Sequence, residues 1–205
     1  MNTISYAVTV CNEAAELLNL LTQLDIYKRP QDEVVVQVDS DNHTQDVLNV
    51  IAMYPYVVKV MYPLNKDFAN FKNNLKSNCK NDYIVFVDAD EFFADNLIQY
   101  LPIVLDNNPV DLFLVPRKNT VNGLTQDHID KWRWNVDDQN RVNWPDFQMR
   151  VVANKDHMSW KNKVHETIEG YNTISMFPID NEDWCLMHPK TIAKQEIQNG
   201  FYSTI

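Results

Sequence analysis

Glycine is almost missing from this sequence. Its 205 residues contain three, Gly123, Gly170 and Gly200. A phosphate loop of the Walker or the dinucleotide kind needs several glycines in one short segment, so both are excluded. Cysteine is equally sparse. Cys11, Cys79 and Cys185 are scattered, odd in number and without a Cys-x-x-Cys. Neither a zinc knuckle nor a disulfide scaffold is indicated, and each thiol reads as a small core residue. Positive charge is short as well. Eighteen Lys and Arg stand against 28 Asp and Glu, a formal net charge of −10. That weighs against holding nucleic acid by general electrostatics, because neutralising phosphates takes Lys and Arg. No apolar run approaches the roughly 18 residues of a membrane span. The first residues, Met1 to Tyr6, lack the basic and apolar regions of a secretory signal. A cytoplasmic protein is the expectation.

What is present is an ordinary globular composition, 45% hydrophobic, at a length that suits one domain over residues 1–205. The chain turns on one stretch, Tyr83-Ile84-Val85-Phe86-Val87-Asp88-Ala89-Asp90-Glu91. Five apolar residues, β-branched and aromatic, are too few for a helix and read as a buried strand. Asp88 and Asp90 follow, two apart, and on an extended segment they point to the same side. Adjacent carboxylates repel unless a cation lies between them. Oxygen ligands suit Mg²⁺ or Mn²⁺, which commonly bind one or two carboxylates plus substrate phosphates. The bland alternative is a solvated acidic turn.

Around that stretch, strands and helices alternate. Strands are expected at 4–10, 32–39, 57–61, 83–87 and 111–115, the last stopped by Pro116. Helices are expected from Asn12 to Pro30, with Ala14, Leu17, Leu18, Leu21 and Leu24 inward, and at 44–53, 67–79 and 93–105. Such alternation argues for an α/β domain with a mostly parallel sheet. Residues 118–146 are polar, bear Trp132, Trp134 and Trp144, and read as a long loop. A strand over 147–152, further β-like segments and a helix over 191–202 close the chain.

In a parallel sheet the ends of the strands at 4–10, 32–39 and 83–87 share one edge, where ligands bind. That edge gathers Thr9 to Glu13, Asp39, Asp88 and Asp90, with Lys72 on the nearby helix. Asp39 has no evident capping duty and could accept from a nucleotide base. A lysine and a metal could meet a diphosphate.

Cys11-Asn12-Glu13, Asp39-Ser40, Phe71-Lys72-Asn73 and Asp88-Ala89-Asp90 together resemble the ordered motifs of a family 2 glycosyltransferase of the GT-A fold. Lys72 stands where that family usually has Arg. Pro116-Arg117-Lys118-Asn119, Asp146 to Arg150, Val164-His165-Glu166 and Met187-His188 resemble the branch of lipopolysaccharide-core β-glycosyltransferases and related small bacterial and phage transferases. The resemblance spans about residues 4–190. It implies a Rossmann-like, mostly parallel central sheet flanked by helices, with a nucleotide-sugar half over 1–117 and a smaller mixed acceptor half over 118–205. It implies inverting transfer from a nucleoside-diphosphate sugar, UDP first among them, with Mn²⁺ or Mg²⁺ held by Asp88, Asp90 and His188. Glu166 is the expected base and Asp146 the second choice. Thr9, Val10, Cys11, Glu13, Asp39, Lys72, Asp88, Ala89, Arg117 and Arg150 are expected on the donor. The acceptor hydroxyl stays open among a glycan, a lipid-linked sugar, a protein and a modified DNA base, and so does monomer or dimer. Two alternatives stand beside this reading: a nucleotidyltransferase, and a non-catalytic GT-A-like binding domain.

Overall fold

The computed structural model describes residues 1–202. In chain order the elements are β1 (Ile4–Val10), α1 (Ala14–Tyr27), β2 (Glu33–Asp39), α2 (Gln45–Ala52), β3 (Val58–Tyr62) and α3 (Phe68–Ser77). Then come β4 (Tyr83–Asp88), β5 (Phe92–Phe93), α4 (Asp95–Asn107), β6 (Leu112–Asn122), α5 (Gln126–Trp132) and β7 (Val142–Ala153). The chain ends with β8 (Ser159–Lys161), β9 (Thr167–Glu169), β10 (Ile174–Met176), β11 (Leu186–Thr191) and α6 (Ile192–Tyr202). Among the described residues, no helix is long and apolar enough to cross a membrane.

One nine-stranded sheet organises the molecule, in the order β3-β2-β1-β4-β7-β6-β11-β5, with β10 beside β6. β3, β2, β1 and β4 run parallel. β7 enters antiparallel between β4 and β6, and β6 runs parallel to β11. Alternation along the central strands feeds two cores. Ile4, Tyr6, Val8 and Val10 face one side with Tyr83, Val85 and Val87, under Leu17, Leu20, Leu21 and Leu24 of α1. Ala7, Ile84 and Phe86 face the other, under Leu75 of α3 and Trp160 of β8. A sheet covered on both faces has near-continuous apolar strands, which is why β1 and β4 read so clearly.

Four expectations are corrected. Residues 118–146 are not one long loop: β6 continues to Asn122, α5 follows, and β7 starts at Val142. Pro116 does not stop its strand. It falls between the last β10 partner, Leu114, and the first β11 partner, Arg117, so no neighbour on that edge requires an N–H there. Phe93 opens no helix but pairs with Leu186 as part of β5. On α1 the buried face uses Leu20 where Leu18 was expected.

Candidate active site

The carboxyl ends of β1 and β4 meet in register, Thr9 opposite Asp88. The Thr9 hydroxyl donates to Asp88 Oδ1 at 2.7 Å. The other Asp88 oxygen accepts from Arg150 Nη2 at 2.7 Å. Burial alone would raise the Asp88 carboxyl, but the Arg150 and Lys72 charges and the Thr9 hydroxyl hold it well below the usual range. Arg150 also donates to Glu91 Oε1 at 2.6 Å, inside the protein. Glu91 in turn accepts from Arg117 Nη1 at 3.0 Å. Arg117 reaches Asp146 Oδ2 through Nε at 2.9 Å and Nη2 at 2.6 Å. Asn119 Nδ2 donates to that oxygen at 2.8 Å, and Gln148 Nε2 donates to Oδ1 at 2.7 Å. The far end of Asn119, Oδ1, lies 2.6 Å from His188 Nδ1. His188 Nε2 lies 3.4 Å from Asp90 Oδ2. Ala89 joins Asp90 back to Asp88, so these side chains close a ring.

Asp90 is the most cationic point of that ring. Lys194 and Lys190 ammoniums stand 3.4 and 3.6 Å from its Oδ2. Burial would raise the Asp90 carboxyl; His188 and the two lysines more than reverse this and hold it low. Lys190 itself is lowered, first by burial. Among the described residues no three His, Cys, Asp or Glu side chains form a cluster that could hold a metal. The expected trio is not assembled, because Asp88 is committed to Thr9 and Arg150. Asp90 and His188 do converge, and a carboxylate with an imidazole suits Mn²⁺ or Mg²⁺ that keeps water and phosphate ligands. The donor chemistry of these two residues therefore fits the ion.

The expected base, Glu166, is paired with the Lys72 ammonium. Lys72 is buried and lies 4.7 Å over the Trp160 ring. A left-handed turn at His165, φ 53°, precedes Glu166. Asn73 holds the β8 strand to α3 by donating to the Trp160 carbonyl at 2.9 Å and accepting from its N–H at 2.8 Å. Asp146, the second choice, is held below the usual carboxylate range. Burial would raise it, but Arg117, Asn119 and Gln148 lower it overall.

At the nucleotide end, Glu13 Oε2 folds back to accept from the Cys11 and Asn12 N–H groups at 2.9 and 3.0 Å. Asp39 is buried and does carry a capping duty. It accepts from the N–H groups of Asp41 and Leu64, both at 3.2 Å, and from Asn42 Nδ2 at 2.9 Å. Cys11 is half-buried rather than core, its Sγ 4.0 Å from Asp39 Oδ2. Burial, then Glu13 and Asp39, push its thiol up to about 12, so it is not a nucleophile. Arg150, expected on the donor, is turned inward to Asp88 and Glu91.

Sequence reasoning missed Lys190, Lys194, Asn119 and the central place of Glu91. Lys190 lies two residues beyond His188 on β11, the same spacing that marked Asp88 and Asp90, and was legible on that ground. Of the tryptophans, Trp160 is core, whereas Trp132, Trp134 and Trp144 are half-exposed. Trp132 and Trp134 lie 4.7 Å apart, and Arg141 lies 4.7 Å over Trp144.

Compared with known proteins, the chain matches the family model described as glycosyl transferase family 2 over residues 5–167. No curated protein matches it. The crystal structure of S. aureus TarS 1-349 superposes with a TM-score of 0.64 at 15% identity, over 92% of this chain and 60% of that chain. The crystal structure of S. aureus TarS 1-349 in complex with UDP aligns with a TM-score of 0.51 at 20% identity, over 61% of this chain and 38% of that chain. The chain thus spans less than two thirds of the length of these structures, and identities this low speak to fold alone.

Proposed function

The chain belongs to glycosyl transferase family 2 and has a GT-A fold, and from that premise we propose that it moves a sugar, with inversion, from a nucleoside-diphosphate sugar to an acceptor hydroxyl. One observation carries the reading. The edge where β1 and β4 end gathers Asp90, His188, Lys190 and Lys194 at one point. The Lys72–Glu166 pair lies near enough for Lys72 to act on Asp88 and Glu166 on Arg150. Anionic phosphates and a proton acceptor are thereby provided for together. UDP is the nucleotide of first choice because a structurally similar protein was crystallised with it. The β1 end from Thr9 to Cys11, with Asp39 behind it, would flank the base and ribose.

Glu166 takes the proton from the acceptor hydroxyl, which must approach to about 2.6–3.2 Å. The freed oxygen attacks the anomeric carbon on the face opposite the diphosphate, and that C–O bond breaks as the new one forms. Lys190 and Lys194 turn from Asp90 toward the departing diphosphate and meet its charge. Asp90 and His188 would hold Mn²⁺ or Mg²⁺; when bound, such an ion supplies Lewis-acid neutralisation of the leaving group. Trp132, Trp134 and Trp144 offer ring faces to the acceptor.

A thermal-shift screen of nucleoside diphosphates, with and without Mn²⁺, tests the reading. A ligand of the native state raises the melting temperature by mass action. The expected result is a Mn²⁺-dependent rise with UDP that Asp90→Ala removes. A well-folded protein that responds to no nucleotide would leave the binding-only alternative standing instead.

A further inference from the structure

Every member of the ring around Asp90 carries a formal or titratable charge except Asn119. Its amide has two chemically different ends, and the neighbours decide which end goes where. Nδ2 lies 2.8 Å from Asp146 Oδ2, an oxygen that already accepts from Arg117 Nε and Nη2. Such an oxygen only accepts, so the amide end facing it is the NH₂. The opposite end is then the carbonyl oxygen, 2.6 Å from His188 Nδ1. A carbonyl cannot donate, so Nδ1 carries the hydrogen. In a neutral imidazole the second nitrogen is then a bare lone pair. That nitrogen, Nε2, faces Asp90 Oδ2 at 3.4 Å. Two acceptors aimed at one another call for a cation, and the Lys190 and Lys194 ammoniums now stand at that same Asp90 oxygen, where a metal ion would displace them.

We propose that Asn119 is a positioning residue: held by Arg117 and Asp146, it fixes His188 in the Nδ1–H tautomer and presents Nε2 as a ligand beside Asp90. The ligand role rests on the metal reading above; the tautomer assignment does not. Polarity passes along the chain by hydrogen bonds alone. Arg117 sets Asp146 as acceptor, Asp146 sets the amide, and the amide sets the imidazole. The arrangement is the outer-shell support that metal-ligating histidines receive elsewhere, where its loss costs about 10–100-fold in metal affinity.

The test is two-bond ¹H–¹⁵N correlation of the imidazoles in metal-free protein at about pH 9, above the ordinary histidine range. His188→Gln identifies the signal. Wild-type protein is expected to show a protonated Nδ1 and a bare Nε2. Asn119→Ala should move the proton to Nε2, in whole or in part, and weaken Mn²⁺ binding about 10–100-fold by titration calorimetry. Asn119→Gln keeps an amide carbonyl for His188 and an NH₂ for Asp146 and should retain the tautomer, which covers the case in which the alanine variant does not fold. A wild-type His188 protonated at Nε2 overturns the proposal, as does an Asn119→Ala protein with unchanged tautomer and Mn²⁺ affinity. The expected tautomer in a wild-type protein that binds no Mn²⁺ overturns the metal reading and leaves the Asn119 assignment standing.

Discussion

Arg150 is the residue on which the buried charges balance. Its guanidinium meets Asp88 and Glu91, and Glu91 is wholly enclosed. Replacing it with an apolar side chain of similar length takes the ion-pair partner from Asp88 and leaves enclosed Glu91 with Arg117 alone. Breaking a buried pair in this way typically costs about 3–5 kcal/mol. Arg150→Met should therefore lower the unfolding free energy by about that much in urea titrations at neutral pH; a loss under about 1 kcal/mol, the range of exposed pairs, would mean that the network does not hold the protein together. The sequence made Asp88 and Asp90 legible because two carboxylates at the end of an apolar strand stand out, although β4 ends at Asp88 and Asp90 lies in the turn beyond it. It did not show which way Arg150 would point, because a cation's direction depends on strands that pair across long separations. Arg150 turns inward only because β7 is inserted beside β4. The hydrogen bonds of Asp39 were legible in part: Asp41 and Asn42 are local partners, but the Leu64 N–H is 25 residues away.

The β8–β9 hairpin is the element that carries Glu166, and it is pinned at two points. Asn73 clamps Trp160 through two hydrogen bonds, and Gly170 closes the end of β9. Asn73→Ala removes both bonds and strands polar backbone groups, at a cost of about 1–3 kcal/mol each where they stay unsatisfied. On the proposed reading turnover should fall more than UDP binding does, since Glu166 would move and the phosphate site would stay; equal loss in kcat and in UDP affinity would refute that separation. Gly170 has φ +93°, and a Cβ there would meet the His157 carbonyl oxygen at 2.5 Å. Backbone cannot step aside as a side chain does. Gly170→Ala should lower the melting temperature more than Gly123→Ala, whose added carbon would meet only the Ile192 side chain at 3.2 Å. The sequence revealed the parallel elements β1, β2 and β4 because both their faces are apolar. It hid β6 past Pro116 and β7 before Phe147, where half-exposed strands mix polar and aromatic residues and the pattern blurs.

At the scale of the whole molecule, depressed carboxyls make stability depend on acid. Unfolded aspartates titrate near about 3.9. Asp88 and Asp146 titrate lower in the folded protein, held down against burial by Arg150 and Arg117. Between the two values the unfolded chain binds more protons, so stability is present above the unfolded value and is lost as pH falls through the folded one. The urea midpoint should stay level down to about pH 5 and drop below about pH 4. A midpoint that rises on acidification would contradict the assignment. Because β7 is threaded between β4 and β6, the N-terminal and C-terminal halves of the chain share one sheet. Their unfolding should appear as a single calorimetric transition, and two resolved transitions would refute this.

The ring through Asp88, Arg150, Glu91, Arg117 and Asp146 also constrains how this sequence can drift. Its charges alternate in sign, so a lone replacement at any one position takes an opposite charge from at least one neighbour in a poorly solvated place. Mutations there are tolerable in matched pairs and costly one at a time. Across descendants of a common ancestor, these five positions should therefore substitute together or not at all, while half-exposed Trp132 and Trp134, which make no such pairs, wander independently.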